Sequence, residues 1–233
     1  MRSLITKIAA AAILCWPGGA ATAADGPVLV ELYTSQGCSS CPKADAFFKE
    51  LSKRDDVVAL ALHVDYWDYI FDDVFGKAAH TRRQYGYAAA GGRDMVYTPQ
   101  MVIGGQDHAV GNRPKDVSAL INKHLGAPQP VMLSLSRNGQ SLSIKASAEA
   151  GFDAPLVVQM ARFIPEQTVS IDHGENAGNT FSYTNIVTSL DEVGRWSPGA
   201  PLSMTVEIEG DAPVAIILQR QDHGKVEAAA LLR

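Results

Sequence analysis

Cysteine is scarce in this chain, with three in 233 residues, at 15, 38 and 41. No second Cys-x-x-Cys exists, and none of the six histidines makes a His-x-x-His partner for the first, so a closed four-ligand zinc site lacks ligands. Basic clusters are missing too. The formal net charge is −5, which argues against nucleic acid and anionic membrane surfaces as partners. Beyond the N-terminus no stretch is long and apolar enough to span a bilayer. There is no internal repeat and no low-complexity tract. Gly-x-x-x-x-Gly-Lys, His-Glu-x-x-His and Ser-His-Asp motifs are all absent, which removes the simplest signals for nucleotide, metalloprotease and serine-hydrolase chemistry.

The first residues, MRSLITKIAAAAILCWPGGAATAADGP, carry Arg2 and Lys7, then an apolar run from Ile8 to Trp16, then small residues. That order is a secretory signal peptide over residues 1–24, with Ala-Thr-Ala at 21 to 23 as its cleavage site. The run is too short for a membrane span, and Pro17-Gly18-Gly19 stops it. Cleavage removes Cys15, Arg2 and Lys7, taking the formal charge from −5 to −7. The expected location is periplasmic or secreted, where disulfides persist and nothing remains to insert into a membrane.

The rest of the chain divides by periodicity. Over residues 25–126, apolar strands alternate with helical patterns. VLVELYT leads to a helix from Pro42 to about Ser52 with Ala44, Phe47, Phe48 and Leu51 on one face. VVALALHV leads to a helix of roughly Val74 to Ala90; QMVIGG and DHAVG form a hairpin; RPKDVSALINKHLG is a closing helix. The order is β-α-β-α-β-β-α. GAPQP (126–130) reads as a linker. Residues 127–233 then lose helical periodicity and read as a separate antiparallel β-sandwich of about seven strands, with Asn138-Gly139 at one hairpin turn and Leu202, Met204, Val206 and Ile208 on one face of a strand.

The pair in TSQGCSSCPKAD lies where a strand meets a helix. A helix N-terminus has unpaired N–H groups and the positive end of the dipole, which favour thiolate over thiol. The apolar helix face extended backwards reaches Cys41, so Cys41 is expected inside and Cys38 accessible. An outer thiol that attacks and an inner one that resolves is the arrangement thiol–disulfide exchange needs. A metal half-site and a structural staple remain the other readings, although so small a loop gains little from a staple. Two features accompany the pair. Thr98-Pro99 enters a strand, where an X-Pro bond can be cis. Glu31 interrupts an otherwise apolar strand, a costly place for a charge without a reason.

Strand, Cys-x-x-Cys-Pro on a helix, and Thr-Pro before a hairpin with a final helix together resemble the thioredoxin fold. More closely, ELYTSQGCSSCPKAD, HVDYWD, YTPQMV and HGENAG resemble an uncharacterised family of secreted bacterial proteins with a thioredoxin-like N-terminal half, of the domain-of-unknown-function 1223 type. The resemblance implies an α/β thioredoxin-like domain followed by an all-β, sandwich-like domain. It implies Cys38 as nucleophile, Cys41 as resolving thiol, Pro99 as a cis proline facing them, and Thr98 offering its backbone to substrate. Glu31 becomes the buried acid beneath the inner cysteine, able to take the Cys41 proton. Gly37 stands where thioredoxins often keep an aromatic residue.

HVDYWD follows the second strand on the rim that carries Cys38, so His63, Asp65 and Trp67 are expected to border a substrate groove. HGENAGN is expected to be a hairpin loop without chemistry. The expected activity is thiol–disulfide exchange with a protein thiol or disulfide and a redox partner, without cofactor or resident metal. Two alternatives stand beside it: a copper-handling module using Cys38, Cys41 and a histidine, and a non-enzymatic binding protein with a structural disulfide.

Overall fold

β1 (Val28–Thr34) and β2 (Val57–His63) are buried at every residue, and the fold is organised around covering both of their faces. The computed structural model of the chain describes residues 26–148 and 152–233; the expected signal peptide lies outside them. β1 pairs in parallel with β2, from Val28 beside Val57 to Thr34 beside His63. It pairs antiparallel with β3 (Gln100–Ile103), which forms a hairpin with β4 (Asp107–Val110). Strands apolar on both faces need a layer on each side.

One layer is helical. α1 (Pro42–Leu51) and α3 (Pro114–Leu125) each begin with proline, whose fixed φ suits the first turn. They bury Ala44, Phe48, Val117 and Ile121 against Val30, Leu32, Val57 and Ala59. Complete burial of Phe48 alone is worth about 1.5–3 kcal/mol. α2 (Ala78–Ala90) belongs to the opposite face, where Tyr87 joins Leu29, Tyr33, Leu60 and Leu62. It begins later than its sequence periodicity suggests. The Asp73 carboxylate accepts the Phe75 N–H, and such a local side-chain bond holds a turn in place of helix.

The second half corrects the expectation of a separate sandwich domain. Its strands are β5 (Val131–Asn138), β6 (Ser141–Ala148), β7 (Leu156–Ser170), β8 (Thr180–Trp196), β9 (Leu202–Glu207), β10 (Val214–Gln219) and β11 (Val226–Leu232). Only β5, β6 and β9 form a sheet of their own. The others extend the first half into one eight-stranded sheet, β11-β10-β7-β8-β2-β1-β3-β4. The junction is parallel, with Ile186 of β8 beside Ala61 of β2.

β7 and β8 are long, and their pairing shifts register at Val158/Gln159 and Arg162/Phe163; such irregularities bend a ribbon. Residues of β10 and β11, among them Ala215, Ile217 and Ala229, thereby complete the layer over Leu29 and Tyr33. The other side of β10, with Val214, Ile216 and Leu218, packs on Leu142 and Ile144 of the small sheet. Two sheets do face each other, but the larger is shared by both halves. The result is a mixed α/β protein dominated by one mostly β sheet with few helices. Among the described residues, no helix is long and apolar enough to cross a membrane.

Candidate functional site

From the end of β1 the chain turns twice, with Cys38 N–H donating to the Ser35 carbonyl and Cys41 N–H to the Cys38 carbonyl, each at 3.2 Å. Cys41 is the N-cap of α1 and Pro42 its first helical residue. Cys38 and Cys41 form a disulfide with their Cα atoms 5.4 Å apart. Cys41 is fully buried, as the helix face requires. Cys38 is only 2 % exposed, which corrects its expected accessibility; the intervening Ser39 and Ser40 face solvent instead.

Two contacts account for this closure. Gly37 packs on the β2–α2 connection so closely that a Cβ there would stand 3.2 Å from the Trp67 carbonyl oxygen and 3.3 Å from its Cβ. A side chain at this position, where thioredoxins often keep an aromatic residue, would need Trp67 to give way by a few tenths of an ångström. The second contact comes from the β7–β8 connection. Asn176, 7 % exposed, donates from Nδ2 to the carbonyls of Gln36 at 2.8 Å and Cys38 at 3.2 Å. HGENAGN, expected to be an inert loop, thus straps the cysteine turn. The Gly- and Asn-rich composition signalled a turn but not its destination.

The Thr98–Pro99 bond is cis. Pro99 is beside α1: a Cβ on Gly111 would stand 3.3 Å from Pro99 Cβ and 3.1 Å from Ala44 Cβ, so Gly111 lets the two elements meet. The Thr98 side chain is held by Trp67, whose Nε1 donates to Oγ1 at 2.7 Å. Trp67 therefore touches both the cysteine turn and the proline turn. Tyr69 stacks on it and is 81 % exposed. Asp65 serves a different end. Its Oδ1 accepts from Thr81 Oγ1 at 2.5 Å, tying the end of β2 to α2.

Glu31 is buried, but not beneath Cys41. It shares the β1 face of Leu29 and Tyr33, whereas α1 lies over Val30 and Leu32. Its carboxylate accepts Arg83 Nε at 2.6 Å and Tyr87 Oη at 2.5 Å, both from α2. Arg83 also donates to Gln159 of β7 and Gln219 of β10. Burial works against the Arg83 charge, but Glu31, with Tyr87 and Tyr33, holds the guanidinium pKa above its ordinary value. The expected proton acceptor is thus one half of a buried ion pair joining α2 to both halves of the sheet.

His63 is corrected as well. It is fully buried rather than on a groove, with Nδ1 2.7 Å from Asp73 Oδ2 and Phe75 and Tyr183 edge-on to its ring. The same Asp73 oxygen accepts the Gln36 N–H at 2.8 Å. Burial works to raise the Asp73 pKa, yet its bond to His63 and that ring's charge bring it below the ordinary value. Asp45, one turn into α1, accepts from Thr34 Oγ1 at 2.9 Å, and burial pushes its pKa up to about 7. Neither Asp45 nor Asp73 stood out among the many surface-type acids of the sequence. Among the described residues, no group of three or more His, Cys, Asp or Glu side chains is arranged to hold a metal ion.

Comparison with known proteins gives a family and a fold. The family described as protein of unknown function DUF1223 matches residues 29–219. A structural-genomics crystal structure of an Agrobacterium tumefaciens protein is 32 % identical, with a TM-score of 0.76, covering 88 % of this chain and 93 % of that one. HBP35 of Porphyromonas gingivalis superposes with a TM-score of 0.58 at 13 % identity, covering 89 % of this chain and 75 % of that one, a likeness of fold alone. No curated protein matches.

Proposed function

The chain belongs to the DUF1223 family, whose description assigns no activity, and from its own geometry we propose that it is an exported thiol–disulfide oxidoreductase acting through Cys38 and Cys41. The observation that carries the reading is the Cys38–Cys41 disulfide at the N-terminus of α1, with cis Pro99 beside the first turn of the same helix. The helix dipole stabilises a thiolate on the first turn. A disulfide closing so short a loop adds little stability by chain entropy, which favours a chemical role over a staple.

On this reading the first half is thioredoxin-like, with a β1-α1-β2-α2-β3-β4-α3 order and a cis proline before β3. Reduced Cys38 attacks a disulfide in a protein partner, and Cys41 then displaces the partner's thiolate. Trp67 and the exposed Tyr69 beside Thr98 offer an aromatic wall for the partner's backbone. On the same reading residues 1–24 are a signal peptide, and the chemistry takes place outside the cytoplasm.

The deciding experiment is trapping. Cys41→Ser, expressed with its own N-terminus, is expected to accumulate partners disulfide-linked to Cys38, released by reductant and absent from Cys38→Ser/Cys41→Ser. An empty trap, with no exchange between the wild-type pair and oxidised glutathione in vitro, would reject the oxidoreductase reading.

A further inference from the structure

A buried thiol cannot attack until it loses its proton, and burial favours keeping that proton. Cys41 is fully buried, and Glu31 is on the wrong face of β1. Asp45 is four residues along α1 from Cys41, and its N–H donates to the Cys41 carbonyl at 3.0 Å. Residues four apart share a helix face, and helical side chains lean towards the N-terminus. The Asp45 carboxyl therefore leans back over the turn that holds Cys41.

What stands below it comes from both central strands. Thr34 and His63 are register partners at the ends of β1 and β2, so their side chains share a face, the one that α1 covers. Thr34 donates to Asp45. His63 turns Nδ1 to the Asp73 carboxylate, which leaves Nε2 on the other side of the ring. That atom is buried without a partner among the described residues. The other groups around Asp45 are Tyr183 of β8, whose pKa is raised by burial and then by the charges of Asp45 and Asp73, and Lys49 one turn further on, which is engaged by Glu166 of β7.

We propose that Asp45, held by Thr34 and backed by the His63–Asp73 pair, is the proton acceptor for Cys41 when the inner thiol resolves a mixed disulfide on Cys38. The inference rests on the oxidoreductase reading. Asp45 takes the proton from Cys41 Sγ, and the thiolate attacks Cys38 Sγ. The Cys38–Cys41 bond forms, and the bond from Cys38 to the partner sulfur breaks. That sulfur leaves as a thiolate carrying the electron pair, and Asp45 or water reprotonates it. The cysteine pair is oxidised and the partner disulfide reduced. A carboxyl whose pKa stands at about 7 is matched to such a transfer near neutral pH.

The test is stopped-flow reaction of the reduced protein with an aromatic disulfide whose thiolate is coloured. One thiolate leaves when Cys38 attacks and a second when Cys41 resolves. In wild type the second phase is expected to rise with pH through an inflection near the Asp45 value. Asp45→Asn should slow it about a hundredfold at neutral pH and move the inflection into the range of a free thiol, while the first phase stays within about twofold. Thr34→Val keeps the carboxyl and removes a bond that lowers its pKa; the inflection should move up by less. If Asp45→Asn does not fold, the Thr34→Val inflection decides alone. An unmoved inflection, or slowing that is uniform across pH, overturns the proposal. Absence of the first phase in wild type would instead remove the oxidoreductase reading.

Discussion

Glu31 of β1 and Arg83 of α2 meet at 2.6 Å with neither side chain more than 7 % exposed. Tyr87 completes the carboxylate, and Gln159 and Gln219 take further guanidinium donors. Such a pair is costly to split, because the partner left behind is a buried, uncompensated charge. Glu31→Gln is therefore expected to destabilise the protein by about 3–5 kcal/mol, measured by denaturant unfolding. Its Cys38 alkylation rate in the folded state should match wild type. A neutral or stabilising effect would show that Arg83 finds other compensation.

The Asn176 strap makes the second prediction. Two hydrogen bonds worth about 0.5–1.5 kcal/mol each hold the β7–β8 connection on the cysteine turn. Asn176→Ala should let a small dithiol reduce the disulfide about tenfold faster, with the melting temperature lowered only slightly. An unchanged reduction rate would locate the barrier to Cys38 elsewhere.

Gly111 makes the third. An alanine methyl would press on both Ala44 and Pro99, and overpacking of this kind costs about 1–3 kcal/mol. Gly111→Ala is expected to lose that much stability and to slow exchange at Cys38 by parting α1 from the proline turn. Unimpaired exchange would separate Pro99 from the chemistry.

Asp45 makes a prediction about stability and pH. Its folded pKa of about 7 stands above the ordinary 3.8, so between those values the folded state holds a proton that the unfolded state has lost. Stability from this group is complete below the ordinary value and falls as pH rises towards 7, by up to about 1.4 kcal/mol per unit. Asp73 works oppositely, its lowered pKa adding stability that is lost on acidification below the ordinary range. The stability difference between pH 5 and pH 8 should therefore shrink in Asp45→Asn, followed by urea unfolding at both values. An equal difference in both proteins would contradict the assignment.

The order β-α-β-α-β-β-α was legible in the sequence because each element declares itself locally. Proline opens α1 and α3, apolar runs mark the strands, and glycine ends α2. The cysteine turn at the head of α1 was readable for the same reason. Which way Glu31 points was not. A strand apolar on both faces has no polar alternation to say which side a helix will cover, so one residue of parity separates an acid under Cys41 from one against Arg83.

Short-range pattern thus determined the elements and placed two thiols on a helix N-terminus. Only tertiary structure decided what surrounds them. Asn176 is 138 residues from Cys38, and Gln219 is 136 from Arg83. His63 reads as a rim residue until Asp73, Phe75 and Tyr183 close over it. β8 joins β2 because an exposed edge beside β2 would leave main-chain donors and acceptors unpaired, and β10 and β11 cover β1 because its second face is as apolar as its first. Those demands concern surfaces that exist only once the strands have paired, so no local pattern encodes their answer.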